Sequence, residues 1–207
     1  MVIDDIDALL ARARRLASGD RRILGIAGPP GGGKSTLASV VVDALGDAAV
    51  LVPMDGFHLA QPELVRLGRR DRMGAPDTFD VAGYVALLAR LRAREDDMVY
   101  APGFRREIEE PIAGAIAVPR SVPLVVTEGN YLLAADGGWA GVRPLLDEAW
   151  YVEMDEDTRL RWLIQRHIDF GKAPEVARAW VMRSDQANAA VVAATRERAD
   201  VVFRLVT

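Results

Sequence analysis

Eight consecutive residues constrain this chain more than any others: Gly28-Pro-Pro-Gly-Gly-Gly33-Lys34-Ser35 reads G-x-x-x-x-G-K-S, with Thr36 following. Composition alone would produce that pattern in roughly one chain of this length per thousand. The apolar run at residues 23–27 precedes it and a helical pattern at 34–45 follows, so the segment turns a strand into a helix. In that context Gly28, Gly31, Gly32 and Gly33, with Pro29 and Pro30 between them, let backbone N–H groups turn inward. The helix that begins there adds about half a unit of positive charge. Such a loop cradles phosphate oxygens, Lys34 reaches the β and γ phosphates, and the Ser35 hydroxyl suits a hard cation such as Mg2+. Residues 28–36 are therefore read as a nucleotide-binding loop.

The rest of the composition narrows the partners. With 207 residues, half of them hydrophobic, the chain can bury one sizeable core, and a single domain over 1–207 is expected. A formal charge of −4 carries no basic footprint, so no nucleic-acid partner is expected. The chain has no cysteine, which excludes disulfides, thiolate metal sites and a cysteine nucleophile, so any metal must sit on oxygen ligands. Asp4, Asp5 and Asp7 stand where a signal peptide needs positive charge, and no apolar run approaches the ~18 residues of a membrane span. A cytoplasmic protein without membrane insertion is expected. Of 26 basic residues only Lys34 and Lys172 are lysines, so each invites a reason.

Periodicity supplies the framework. Ile3, Ile6, Leu9, Leu10 and Leu16 predict an amphipathic leader helix within residues 1–19. Five short runs at 23–27, 50–54, 122–127, 149–154 and 201–206 are apolar on both faces, as buried parallel strands are. Helical patterns at 34–45, 81–94, 157–170 and 174–198 alternate with them, the last as two helices or one bent one. That alternation predicts an α/β, doubly wound sheet. Residues 98–118 interrupt it and read as a hairpin, a small flap over the sheet's edge.

Three further residues carry chemistry. Asp55, in Pro53-Met54-Asp55-Gly56, and Glu128, in Thr127-Glu128-Gly129, both follow apolar strands, and in a doubly wound sheet strand C-termini line the ligand crevice. Asp55 is the candidate to orient and deprotonate an acceptor hydroxyl; Glu128 is the candidate to organise a metal with Ser35. The third is Arg166, on a helix that ends in Gly171-Lys172. Residues 157–173 suit a helical lid that brings a guanidinium onto a transferring phosphoryl group. His58 follows the candidate base and is placed to touch substrate, whereas His167 reads as a half-buried helix residue.

The order of phosphate loop, Met54-Asp-Gly-Phe-His-Leu59, Pro76-Asp-Thr-Phe-Asp80, Tyr100-Ala-Pro102, Glu128-Gly-Asn-Tyr-Leu-Leu133 and arginine helix resembles the uridine kinase and bacterial pantothenate kinase group. Within it the chain is most similar to small bacterial proteins labelled fructose transport system kinase. The resemblance implies a P-loop NTPase three-layer sandwich whose five parallel strands run in the order 2-3-1-4-5, ATP and Mg2+ as cofactors, a small-molecule hydroxyl acceptor and a homodimer. It implies that Asp55 matches the family's catalytic acid and Arg166 one of its lid arginines, beside the catalytic Lys34 of the phosphate loop. Phe57, His58, Tyr100 and Tyr131, in the motifs quoted, are expected at the acceptor, and so are Arg105 and Arg106, an arginine pair in the flap with acids nearby. Acceptors expected from the resemblance are a sugar such as fructose, or a pantothenate- or nucleoside-like molecule. The chain departs from uridine kinases at Gly74, where they carry a ribose-binding acid, and at Leu163, where they carry a second lid arginine. It departs from pantothenate kinases at Phe104 and Arg106, which take the places of a tyrosine and a histidine. The alternative reading is a nucleotide-binding regulator or accessory ATPase of a sugar uptake system.

Overall fold

The computed structural model describes residues 1–205. In chain order its first elements are β1 (Val2–Ile3), α1 (Ile6–Leu16), β2 (Arg22–Ala27), α2 (Lys34–Leu45), β3 (Ala49–Leu51), α3 (Gln61–Arg66) and α4 (Val81–Ala93). There follow β4 (Met98–Arg105), β5 (Glu110–Pro119), β6 (Leu124–Gly129), β7 (Glu148–Glu153), α5 (Glu156–Asp169), α6 (Pro174–Trp180), α7 (Gln186–Ala193) and β8 (Val201–Arg204).

Strands that are apolar on both faces need cover on both faces, and the central sheet has it. On one face Ile23, Val125, Tyr151 and Val202 pack against Tyr84, Leu88 and Leu91 of α4. On the other, Leu24, Ile26, Val126, Trp150 and Val152 pack against Leu37 and Val41 of α2 and Leu9 of α1. Side chains alternate between the faces with period two, so neighbours such as Ile23 and Leu24 enter opposite layers. Each fully buried leucine or isoleucine stabilises the fold by about 1.5–3 kcal/mol, and the layers draw on many.

The sheet runs β3-β6-β2-β7-β8-β1, all parallel. The first five follow the expected order; the sixth is a correction. Val2 and Ile3 pair with Val202 and Phe203, and the leader helix starts only at Ile6, where the Asp5 carboxylate accepts from the Asp7 N–H. A two-residue strand carries no period to detect. The second run also ends early. β3 stops at Leu51, and Met54–Phe57 winds into a 3-10 turn after Pro53, which has no N–H to continue a ladder. Of the fifth run, Val206 lies outside the described residues. The pattern at 174–198 resolves as α6 and α7 joined by a π-helical turn, Val181–Asp185.

Residues 98–118 form the expected antiparallel hairpin, β4 with β5. α4 begins where Asp80 accepts from the Gly83 N–H at 2.9 Å. Because all central strands point the same way, the loops after β2, β3 and β6 emerge side by side. The register Ile26 to Glu128 and Ala27 to Gly129 sets Glu128 level with the start of the phosphate loop.

Candidate active site

The phosphate loop is shaped by backbone conformation before any side chain acts. Gly31 and Gly33 adopt φ of +75° and +85°, where a Cβ is strained. A Cβ on Gly31 would also lie 3.0 Å from Leu163 Cβ, so the loop and α5 are in close contact. No side chain caps the first turn of α2, which leaves its N–H groups free to face an anion. The Pro29 carbonyl accepts from both Gly32 N–H and Lys34 Nζ, each at 2.9 Å, so the Lys34 ammonium folds back onto its own loop. Lys34 is buried, and burial pushes its ammonium down to about 8.

Two carboxylates face that ammonium. Ser35 Oγ donates to Glu128 Oε1 at 3.1 Å, and burial together with the Asp55 charge pushes the Glu128 carboxyl above its usual range. Asp55 lies on the 3-10 turn after β3. Burial opposes its ionisation, but His58, Arg106, Lys34 and Arg166 around it hold it below the usual carboxylate range. Arg106 Nη2 donates to Asp55 Oδ2 at 3.1 Å. The His58 ring sits between Phe79 and Phe104, with centroids 4.0 and 4.8 Å away, and burial lowers its pKa. The site thus sets the Asp55 carboxylate beside an imidazole whose charged form burial disfavours.

One cavity of about 660 Å³ connects these groups, lined by Lys34, Ser35, Asp55, His58, Arg106, Glu128 and Arg166 among others. A smaller recess of about 180 Å³ runs along the loop from Gly31 to Thr36, under Trp162, Leu163 and Arg166. Arg166 is largely desolvated, which lowers its pKa, and its guanidinium has no hydrogen-bond partner among the described residues. A half-buried, unpaired cation beside the phosphate loop is poised for a phosphoryl oxygen.

Four expected acceptor contacts do not line the cavity. Tyr100 is 63% exposed, because Val99 and Ala101 take the inward face of the hairpin and strand alternation turns Tyr100 outward. Arg105 is exposed outside it, while Arg106 enters. Phe57 packs on the Tyr84 ring at 5.1 Å, and Tyr131 is buried behind the wall, its hydroxyl donating to the Gly74 carbonyl at 2.6 Å. On α5 Arg159 is buried, donating to the Pro30 carbonyl at 3.0 Å, and Leu160 is only half-buried.

Other lining residues were not foreseen: Arg70, Glu109, Lys172, and the pair His167 Nε2 with Asp185 Oδ2 at 2.9 Å. For Lys172 a signal existed, since both lysines of an arginine-rich chain line this one cavity. Among the described residues no cluster of three His, Cys, Asp or Glu side chains could hold a metal, so a cation at Ser35 and Glu128 needs further oxygens from a ligand. A hydroxyl beside a carboxylate is a hard-oxygen pair, which fits Mg2+ completed by phosphate and water.

No family model matches the chain. A Schizosaccharomyces pombe protein named "Putative uridine kinase C227.14" is 30% identical over 214 residues, covering 98% of this chain and 91% of that one. This chain belongs to the P-loop kinases of the uridine kinase and pantothenate kinase group. The kinase is also similar to a crystal structure described as a "putative fructose transport system kinase" from Silicibacter sp. TM1040. The TM-score is 0.87 at 33% identity, over 96% of this chain and 98% of that one. A pantothenate kinase of Limosilactobacillus reuteri is 31% identical over 150 residues, 70% of this kinase and 48% of that relative. No helix among the described residues is long and apolar enough to cross a membrane.

Proposed function

We propose that this kinase, one domain over residues 1–207, transfers the γ-phosphoryl group of ATP to a hydroxyl of a small metabolite. One observation carries the reading: Lys34, Asp55, Glu128 and Arg166, from four separate segments, line the same cavity. Lys34 and the loop amides from Gly28 to Thr36 hold the phosphates. Ser35 and Glu128 would hold Mg2+, which would supply charge neutralisation at the phosphates. Asp55 accepts the proton of the acceptor hydroxyl as that oxygen bonds to the γ-phosphorus and the bridging oxygen leaves with ADP. Arg166, on the lid at 157–173, stabilises the charge that develops on the transferring group.

The acceptor lies between His58 and the flap at 98–118, with Arg106 beside it. The names of the relatives supply the candidates: a sugar such as fructose, a pantothenate-like or a nucleoside-like molecule. The test is ADP release from Mg·ATP by the purified protein, alone and with fructose and other ketoses, pantothenate, uridine, cytidine or ribosylnicotinamide. Release stimulated by one acceptor and lost in Asp55→Asn supports the kinase and names its substrate class. ADP formed equally with and without acceptors, or ATP bound without turnover, favours the accessory ATPase or regulator instead.

A further inference from the structure

The hairpin turn that carries Arg106 ends on a second residue of interest. Glu109 is one of two non-glycine residues with positive φ among the described residues, at +51°. A residue with a Cβ keeps that conformation only where its surroundings hold it. Here Gln61 does so: its Nε2 donates to the Glu109 carbonyl at 3.0 Å, and its N–H to the neighbouring Glu110 carboxylate at 3.1 Å. The backbone is thereby turned so that the Glu109 carboxylate faces the cavity mouth.

That carboxylate meets two cations from two other segments. Arg70 Nη2 lies 2.9 Å from Oε2, and Lys172 Nζ lies 3.6 Å from Oε1. Lys172 belongs rigidly to the lid. α5 ends with Gly171 at φ +92°, Gly171 N–H donating to Ile168 O and Lys172 N–H to His167 O, the paired bonds of a glycine-terminated helix. The Lys172 ammonium also lies 5.4 Å from the centre of the Trp180 ring. Arg166, two turns of chain before Lys172, faces the phosphate loop, and Arg106, three residues before Glu109, faces Asp55. The Glu109–Lys172 contact therefore joins the segment that meets the nucleotide to the segment that meets the acceptor.

We propose that Glu109 is a positioning residue that transmits nucleotide occupancy from the lid to the acceptor flap, through Lys172. It rests on the nucleotide-dependent reading above, and the coupling is reciprocal: a bound acceptor tightens the nucleotide by the same factor. Both pairs are partly exposed, and such pairs contribute modestly, so the effect is a factor of about 1.5 to 5 in flap protection or acceptor affinity.

Hydrogen exchange of the intact protein with and without Mg2+ and a non-hydrolysable ATP analogue tests this without a known acceptor. In the wild type the analogue should slow exchange in residues 28–36 and, through Glu109, in residues 105–110. Glu109→Gln and Lys172→Gln should keep the first protection and lose the second, while Lys172→Arg, which keeps the charge, should retain both. Glu109→Gly relieves the positive φ and removes the carboxylate, so it should lose flap protection without a fall in Tm, which separates positioning from folding. Added salt should weaken flap protection in the wild type and in Lys172→Arg, the proteins that keep the charge pair. Flap protection that survives in Glu109→Gln, or that is absent in the wild type while 28–36 is protected, overturns the inference alone. No protection of 28–36 in any variant overturns the nucleotide reading and this inference with it.

Discussion

Arg106 Nη2 and Asp55 Oδ2 lie 3.1 Å apart, so the hairpin turn and the loop after β3 meet through one ion pair at the centre of the cavity. A substrate hydroxyl must approach the same carboxylate. Asp55 stays ionised well into the acid range, because the facing cations outweigh the cost of its burial. Replacing it with Asn keeps the shape and removes the base. Acceptor-dependent ADP release should fall by roughly 10² or more, while nucleotide binding is retained. Near-normal turnover would take Asp55 out of the mechanism.

The partner in that pair should act on the acceptor rather than the nucleotide. Arg106→Ala should raise acceptor KM by about tenfold, the loss expected for one charge-assisted hydrogen bond, with ATP KM unchanged. Tyr100→Phe and Arg105→Ala, which alter side chains outside the cavity, should change neither constant. Steady-state kinetics on the four proteins checks the contrast, and an unchanged acceptor KM in Arg106→Ala would refute it.

Lys34 links pH to both stability and binding. Its pKa falls to about 8 from the ordinary 10.5 because burial disfavours the ammonium. A lowered lysine pKa destabilises the fold below 8, and that penalty fades as pH rises from about 8 toward 10.5. Set against the hydrogen bond to Pro29 that is lost, Lys34→Met should stabilise the ligand-free protein at pH 7 by about 2 kcal/mol and abolish stabilisation by ATP. Bound phosphates restore the charged form, so ATP binding above pH 8 should take up a proton. Calorimetry in buffers of different ionisation enthalpy measures that uptake, which Lys34→Arg should remove.

How far the site was legible follows from how local its signals are. The loop from Gly28 to Ser35, Asp55 and Glu128 each sit at the end of an apolar run, so a few adjacent residues announce both position and chemistry. Tyr100 had a readable signal that the motif obscured, since Val99 and Ala101 claim the inward face and alternation sends Tyr100 out. Glu109 had none. Its role depends on Arg70 and Lys172, brought to it by the packing of three distant segments. Arg159 is buried against the phosphate loop's Pro30 carbonyl, a partner that helical periodicity does not reveal. β1 escaped because two residues have no period.

Glu128 should set the acid limb of activity. Its carboxyl is pushed up by burial and by Asp55, and only the ionised form can hold Mg2+. As pH falls through that raised value, apparent Mg2+ affinity should fall while Asp55 is still ionised. Glu128→Gln should weaken Mg2+ dependence by about 10- to 100-fold, within the range of lost metal-site contacts, and flatten its pH response. Titrating Mg2+ against ADP release at several pH values tests this; an acid limb unchanged in Glu128→Gln would reassign it.

Beneath the site, Thr127 Oγ1 donates to the Val52 carbonyl and accepts from the Tyr84 hydroxyl, both at 2.6 Å and all buried. Val52 is the last residue tied to the sheet before the turn that carries Asp55, its N–H donating to Val126 O at 2.8 Å. Tyr84→Phe removes one donor and leaves Thr127 bonded, so it should cost about 1 kcal/mol and leave kcat within a factor of about two. Thr127→Val strands two buried polar atoms, the Val52 carbonyl and the Tyr84 hydroxyl. It should cost about 2–3 kcal/mol and also lower kcat, because the turn at Asp55 loses its anchor. Urea unfolding paired with turnover separates the cases, and equal costs for the two variants would mean that Thr127 does not hold Val52.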